Sequence, residues 1–294
     1  MTLGRKWLLT VVALASWPDS ASSQVDALSR TPSRFASLEG VRVHYKSLGT
    51  GRTAVVLVHC WACDMHVWQE QVGALDGRVR ALALDLPGHG RSDKPSRAYS
   101  MAFFAQAVNA VFESAGVDRA VLVGHSMGVP VVREFSRLFP GKILAIVAID
   151  GWLVSPGLDS AAVERQVRLF EGPDLARSFE QMIAPMFPKP EQAGVRRQVT
   201  QTAQATPQHV VQAAFRGMMD PAIWRDDPLK VPALVVMAKG PNWPANYRAR
   251  VLRLGADVRY EELEGVHHFL MLERPDLFNA LLLEFLKSLG VMSG

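Results

Sequence analysis

The sequence predicts an α/β protein: an open, mostly parallel sheet with helices on both faces. Three observations predict it. Short apolar runs rich in β-branched residues alternate with segments of helical periodicity through the first half of the chain. The alternation stops over residues 151–228 and then resumes, which marks an insertion into one unit, not two units in tandem. One strand runs directly into Gly124-His125-Ser126-Met127-Gly128 and then into a helix, a sharp junction flanked by glycines.

Taken in order, Val41–Leu48 alternates apolar and polar residues, as a strand with one exposed face does. "AVVLVH" (54–59) is continuously apolar, as expected of a strand buried on both faces, and "VRALALD" (79–85) repeats the pattern. Residues 99–116 have helical periodicity and end at Gly116. "RAVLVG" (119–124) is a buried strand, 127–140 a helix and "KILAIVAID" (142–150) a strand again. From Gly151 the pattern is helical, punctuated by "FPKP" and Pro207. Strands resume at Val231 and at Val258–Leu263, and a helix over 275–289 closes the chain.

The 294 residues are 49% hydrophobic and 20% charged, an ordinary globular balance. The formal charge is +4, but the basic residues are scattered, so nucleic acid is not an expected partner. At the N-terminus Arg5 and Lys6 precede an apolar run from Trp7 to Trp17, and Ala21 and Ser23 suit cleavage before Gln24. The run is short for a bilayer span. The expected division is a signal peptide over 1–23, a core over 24–150 and 229–294, and a helical cap over 151–228. A periplasmic or secreted protein, off the membrane after cleavage, follows from it. The two cysteines, Cys60 and Cys63 in "HCWAC", are compatible with a local disulfide, two inert thiols, or a redox or metal pair. No second Cys/His pair stands at zinc spacing.

"LVGHSMG" carries the chemistry. It is G-x-S-x-G in a strand–turn–helix setting, where the turn lifts Ser126 above the sheet and aims a helix N-terminus at developing negative charge. A serine hydroxyl needs a base, and His267 and His268 follow the last strand. Serine early and histidine last is the chain order of one hydrolase class. With "LVHCWACDMHVW", "LDLPGHGRSDKP", "LVGHSMG" and "HHFLMLERP", the chain beyond its first residues resembles the α/β-hydrolase superfamily.

The resemblance implies that His268, directly before Phe269 and the "ERP" of Glu273 to Pro275, is the catalytic histidine, with His267 its neighbour. Met127, after the nucleophile, supplies one oxyanion amide. The other falls by resemblance to Trp61. Cys60 stands where such relatives usually have glycine, which puts catalytic efficiency in question unless a Cys60–Cys63 bridge fixes the loop. In "DLPGHGRSD", Asp85, His89 and Asp93 read as turn-forming and structural residues.

The acid is the open position. After the strand at Val235-Val236 comes "AKGPNWP", with no carboxylate. The preceding strand ends in Asp150, and an aspartate closing an apolar run needs a partner. Some relatives carry their acid there, and the resemblance assigns it to Asp150. Asn242 is at most a hydrogen-bonding helper.

The expected reaction is hydrolysis of a small to medium hydrophobic ester or lactone through Ser126, His268 and Asp150. Trp61 and Met127 form the oxyanion hole, and no metal or cofactor is required. Cys60, Met65, Trp68, His125, Trp152, Met186, Phe187 and Met218 are the expected pocket residues. Amide or C–C hydrolysis, cofactor-free perhydrolysis, and non-catalytic binding on the same fold remain as alternatives.

Overall fold

The computed structural model describes residues 27–157, 159–225, 227–240 and 243–292. The expected signal segment, Pro241 and Asn242 lie outside the described residues. Eight strands form one sheet: β1 (Arg34–Leu38), β2 (Val41–Leu48), β3 (Thr53–Val58), β4 (Ala81–Leu84), β5 (Arg119–His125), β6 (Ile143–Ile149), β7 (Ala233–Ala238) and β8 (Val258–Leu263). Their order is β1-β2-β4-β3-β5-β6-β7-β8. β2 is antiparallel to both its neighbours, and β4 through β8 are parallel.

The continuous apolar runs are explained by burial on both faces. Val56 and Val58 of β3 pack into one helical layer, with Val108 and Phe112 of Met101–Ala115 and Val132 and Phe135 of Gly128–Leu138. Val55 and Leu57, pointing the other way, pack with Val72, Phe278 and Leu282 on the opposite face. Helix Met101–Ala115 begins where Ser100 Oγ accepts the Phe103 N–H at 3.1 Å, and it ends at Gly116 in the left-handed region (φ 65°).

The described part of 151–228 holds no strand. It folds into four α-helices, Ser160–Arg168, Leu175–Ile183, Ala193–Gln204 and Gln208–Met219, with short 3-10 turns. Asp159 and Asp174 cap the first two by accepting the amides of Ala162 and Arg177. The last helix meets the core backbone directly: a Cβ on Gly217 would lie 2.0 Å from the Tyr99 carbonyl oxygen. After it, Arg137 of the core grips the Asp227 carboxylate at 2.7 and 3.0 Å. No helix among the described residues is long and apolar enough to cross a membrane.

Candidate active site

β5 delivers Ser126. Its amide still bonds the β6 carbonyl of Ile149 (2.9 Å), and its φ of 53° then turns the chain sharply into the helix at Gly128. The turn closes only because its flanks lack side chains. A Cβ on Gly124 would lie 2.4 Å from the Gly128 carbonyl oxygen, and one on Gly128 would lie 2.3 Å from that of Val58. Ser126 is left partly exposed.

Asp150 stands at the end of neighbouring β6 and is 5% exposed. Its Oδ2 accepts from His268 Nδ1 at 2.7 Å, and its Oδ1 accepts from the Ala238 amide at 2.9 Å. Ala238 ends β7, so the strand whose following turn lacks a carboxylate contributes a backbone donor to one standing next door. Asp150 is itself left-handed (φ 40°). Tyr247 holds its turn from both sides: the hydroxyl donates to the Gly151 carbonyl (2.7 Å) and accepts from the Leu153 amide (3.1 Å).

The histidine loop is pinned from below and from above. His125 Nε2–H donates to the His268 carbonyl at 2.7 Å, and the two rings lie 4.8 Å apart. Burial, and then unfavourable electrostatic interaction with neighbouring His268, hold the His125 pKa well below the usual histidine value, so the imidazole is neutral. Above, the buried Glu273 carboxylate accepts the His267 amide (2.7 Å), contacts His267 Nδ1 (3.0 Å) and accepts from Gln192 of the inserted segment (2.6 Å). Lys189 Nζ reaches the Gly265 carbonyl at 3.0 Å.

Among the described residues, the amides of Trp61 and Met127 donate to no protein acceptor. Met127 is fully buried, so its unpaired N–H is costly unless something fills the position it faces. Cys60 and Cys63 are disulfide-bonded around Trp61, and Ala62 between them is left-handed (φ 53°). Ser126, Asp150 and Ala62 are thus three of the four non-glycine residues with positive φ among those described, the fourth being Glu39. Such positions cost roughly 1–3 kcal/mol each and persist where surrounding structure dictates them.

The remaining predicted residues fall into two groups. Trp152 is half-buried, its ring 4.5 Å from Trp243 and edge-on to Tyr247 at 5.1 Å, and Met186 is also half-buried. Cys60, Phe187 and Met218 are nearly covered, Phe187 stacking on Phe269 at 5.0 Å. Met65, Trp68 and His125, also expected at the pocket, have no exposed surface. Trp68 instead packs edge-on to His125 at 6.4 Å, beneath the histidine loop. Asp85 is held by the amides of Met65 (2.8 Å) and Arg91 (2.9 Å) and by His44 Nδ1 (2.8 Å), as a turn-forming carboxylate. Tyr247, Glu273 with Gln192, and Ala238 as a donor were not anticipated as site supports. Two surface clefts, of about 460 Å³ beside Tyr99 and Gly217 and about 390 Å³ beside His66 and Thr202, contain none of Ser126, His268 and Asp150.

A hydroxyl raised on a strand–helix turn, an imidazole paired with a carboxylate, and two unpaired amides are the parts that nucleophilic acyl transfer requires. The fold and this site define a hydrolase-type α/β protein. The chain belongs to the alpha/beta hydrolase family, whose profile matches residues 55–281. Among curated relatives, it is 29% identical over 179 residues to the dihydrolipoyllysine-residue acetyltransferase component of the acetoin cleaving system of Cupriavidus necator. That match covers 55% of this chain and 48% of that protein. The chain thus spans about half the length, or less, of the first curated relatives it matches. Among solved structures it is similar to an N-acyl homoserine lactone degrading enzyme (TM-score 0.74, 24% identity, 86% of this chain and 100% of that one). It is also similar to a thermophilic esterase from Thermogutta terrifontis (TM-score 0.76, 21% identity, 88% and 99%).

Proposed function

We propose that the protein hydrolyses small to medium hydrophobic carboxylic esters or lactones through an acyl-enzyme on Ser126. The observation that carries this reading is the 2.7 Å bond from His268 Nδ1 to Asp150, which leaves Nε2 of the ring as the free base. Ser126 Oγ attacks the ester carbonyl as His268 Nε2 takes its proton. Asp150 stabilises the imidazolium, and the amides of Trp61 and Met127 receive the oxyanion. His268 then protonates the leaving alkoxide and activates the water that releases the acid. The helices of 151–228 act as a cap over Ser126, and half-buried apolar residues such as Trp152 and Met186 favour an uncharged acyl or alkoxy group. The esterase and lactone-degrading neighbours agree with that substrate class. Export to an oxidising compartment belongs to the same reading and is supported by the Cys60–Cys63 bridge.

A fluorophosphonate probe should label wild-type protein and not Ser126→Ala. A panel of p-nitrophenyl esters and lactones should then show turnover that Ser126→Ala abolishes. Absence of labelling and of turnover in the wild type would remove this reading in favour of a binding protein. Fractionation of producing cells tests the compartment, and retention in the cytoplasm would rule out export.

A further inference from the structure

The reading of Trp61 as an oxyanion donor raises a physical question, because that amide lies in a loop. A loop amide is useful to a developing charge only if it is already aimed when the charge appears. The turn at 60–63 has one internal backbone bond, Cys63 N–H to the Cys60 carbonyl, and at 3.3 Å it is long. Against it stands Ala62, whose Cβ disfavours the left-handed conformation it holds (φ 53°). The covalent link between Cys60 and Cys63 closes the turn around this residue.

A second restraint acts on the same residue from outside. The Trp61 indole Nε1–H donates to the Val211 carbonyl at 2.9 Å, on helix Gln208–Met219. Its ring sits among Phe170 (4.9 Å), Phe215 (5.5 Å) and Phe179 (5.7 Å), all from the inserted segment. These contacts on the indole oppose a backbone rotation that would swing the Trp61 amide away. Below, the Val58 carbonyl lies so close to Gly128 that a Cβ there would clash, which fixes the base of the loop against the Met127 turn.

We propose that the Cys60–Cys63 bridge and the Trp61 indole together are positioning elements for the oxyanion site, one fixing the turn and the other locking it to the inserted helices. The proposal rests on the Ser126 esterase reading. Its signature is a loss in transition-state binding with ground-state binding retained.

The test uses full-length oxidised protein, the same protein reduced with dithiothreitol, the double variant Cys60→Ser/Cys63→Ser, and Trp61→Phe, which keeps the backbone N–H but loses the indole bond. Each is assayed on a p-nitrophenyl ester. Each is also titrated with a trifluoromethyl ketone, which forms a tetrahedral oxyanion on the serine, and with the matching methyl ketone as a ground-state control. Removing an oxyanion donor costs about 10²–10³ in kcat, and misaiming one costs less. We expect kcat to fall roughly 10- to 100-fold on reduction and in the double variant, and about 3- to 10-fold in Trp61→Phe. KM and methyl ketone affinity should move less than about 3-fold, trifluoromethyl ketone affinity should fall in step with kcat, and reoxidation should restore it.

A bridge that only stabilises the fold lowers Tm and leaves kcat and trifluoromethyl ketone affinity unchanged in the folded range, which would overturn the proposal. Equal losses for both ketones would overturn it too. If the double variant does not fold, reduction of folded wild type and Trp61→Phe decide the matter. A wild type that neither turns over esters nor labels at Ser126 removes the esterase reading itself, and this proposal with it.

Discussion

Asp150 and His268 come from the ends of two strands separated by a third, yet Asp150 Oδ2 and His268 Nδ1 are 2.7 Å apart. The intervening strand, β7, closes the gap with the Ala238 amide, which holds the other carboxylate oxygen at 2.9 Å. If this pairing supports the imidazolium, Asp150→Asn should lower kcat by roughly 10³–10⁴ through the wrong histidine tautomer. The fold should survive, because asparagine tolerates φ 40° and keeps an oxygen for Ala238. Steady-state kinetics and a melting curve test both halves. A kcat within tenfold of wild type would sink the assignment.

Tyr247 offers a test that leaves Asp150 intact. Its hydroxyl bonds Gly151 and Leu153 on either side of the turn that follows the carboxylate. Tyr247→Phe leaves a buried carbonyl and amide unpaired, for a destabilisation of about 1–3 kcal/mol. The turn should relax and kcat should fall while KM changes little. Denaturant titration and kinetics measure these separately, and an unchanged kcat would mean that Asp150 is held without the hydroxyl.

His125 donates to the His268 carbonyl, and its ring lies 4.8 Å from the His268 ring. His125→Phe keeps an aromatic ring between Trp68 and Phe269 but removes the donor. The expected outcome is a loss of about 1–3 kcal/mol in stability and a drop in kcat with a normal KM. Equal activity in variant and wild type would show that the histidine loop needs no support from below.

Acid should destabilise the fold through its buried imidazoles. Burial lowers the pKa of His59, His89 and His125, that of His89 to about 3. Folding thus favours the neutral form of each, and each takes up a proton near pH 6.5 when unfolded. Their stabilising contribution is therefore complete above about pH 6.5 and is lost as pH falls toward the folded pKa values. Each adds a slope of up to about 1.4 kcal/mol per pH unit. The unfolding free energy should drop steeply between pH 6.5 and 4.5, and His89→Gln should flatten the curve by about one histidine's share. A flat profile over that range would show these rings charged or unburied.

Much of this was legible because burial on both faces writes continuous apolar runs, and the observed bounds of Val41–Leu48 and Val258–Leu263 match the patterned segments. β1 was not read: Arg34–Leu38 is a five-residue edge strand with only Ala36 buried, too short and polar to show a period. That Asp150 has a partner was legible, because an aspartate ending an apolar run needs one. The place of His125 was not, since one residue before a strand–helix turn points above or below the sheet according to a torsion that sequence does not display. Gln192 and Glu273 meet across 81 residues of chain, so no local pattern announces them.

The left-handed residues Ser126 and Asp150 carry a consequence for engineering. Glycine at either position would relieve backbone strain worth roughly 1–3 kcal/mol while deleting a side chain that the proposed reaction uses. A screen that rewards only heat resistance or expression would therefore drift toward sequences that melt later and have lost the hydroxyl or the carboxylate. Directed evolution of this scaffold has to score turnover in the same round as stability, or it will select the site away.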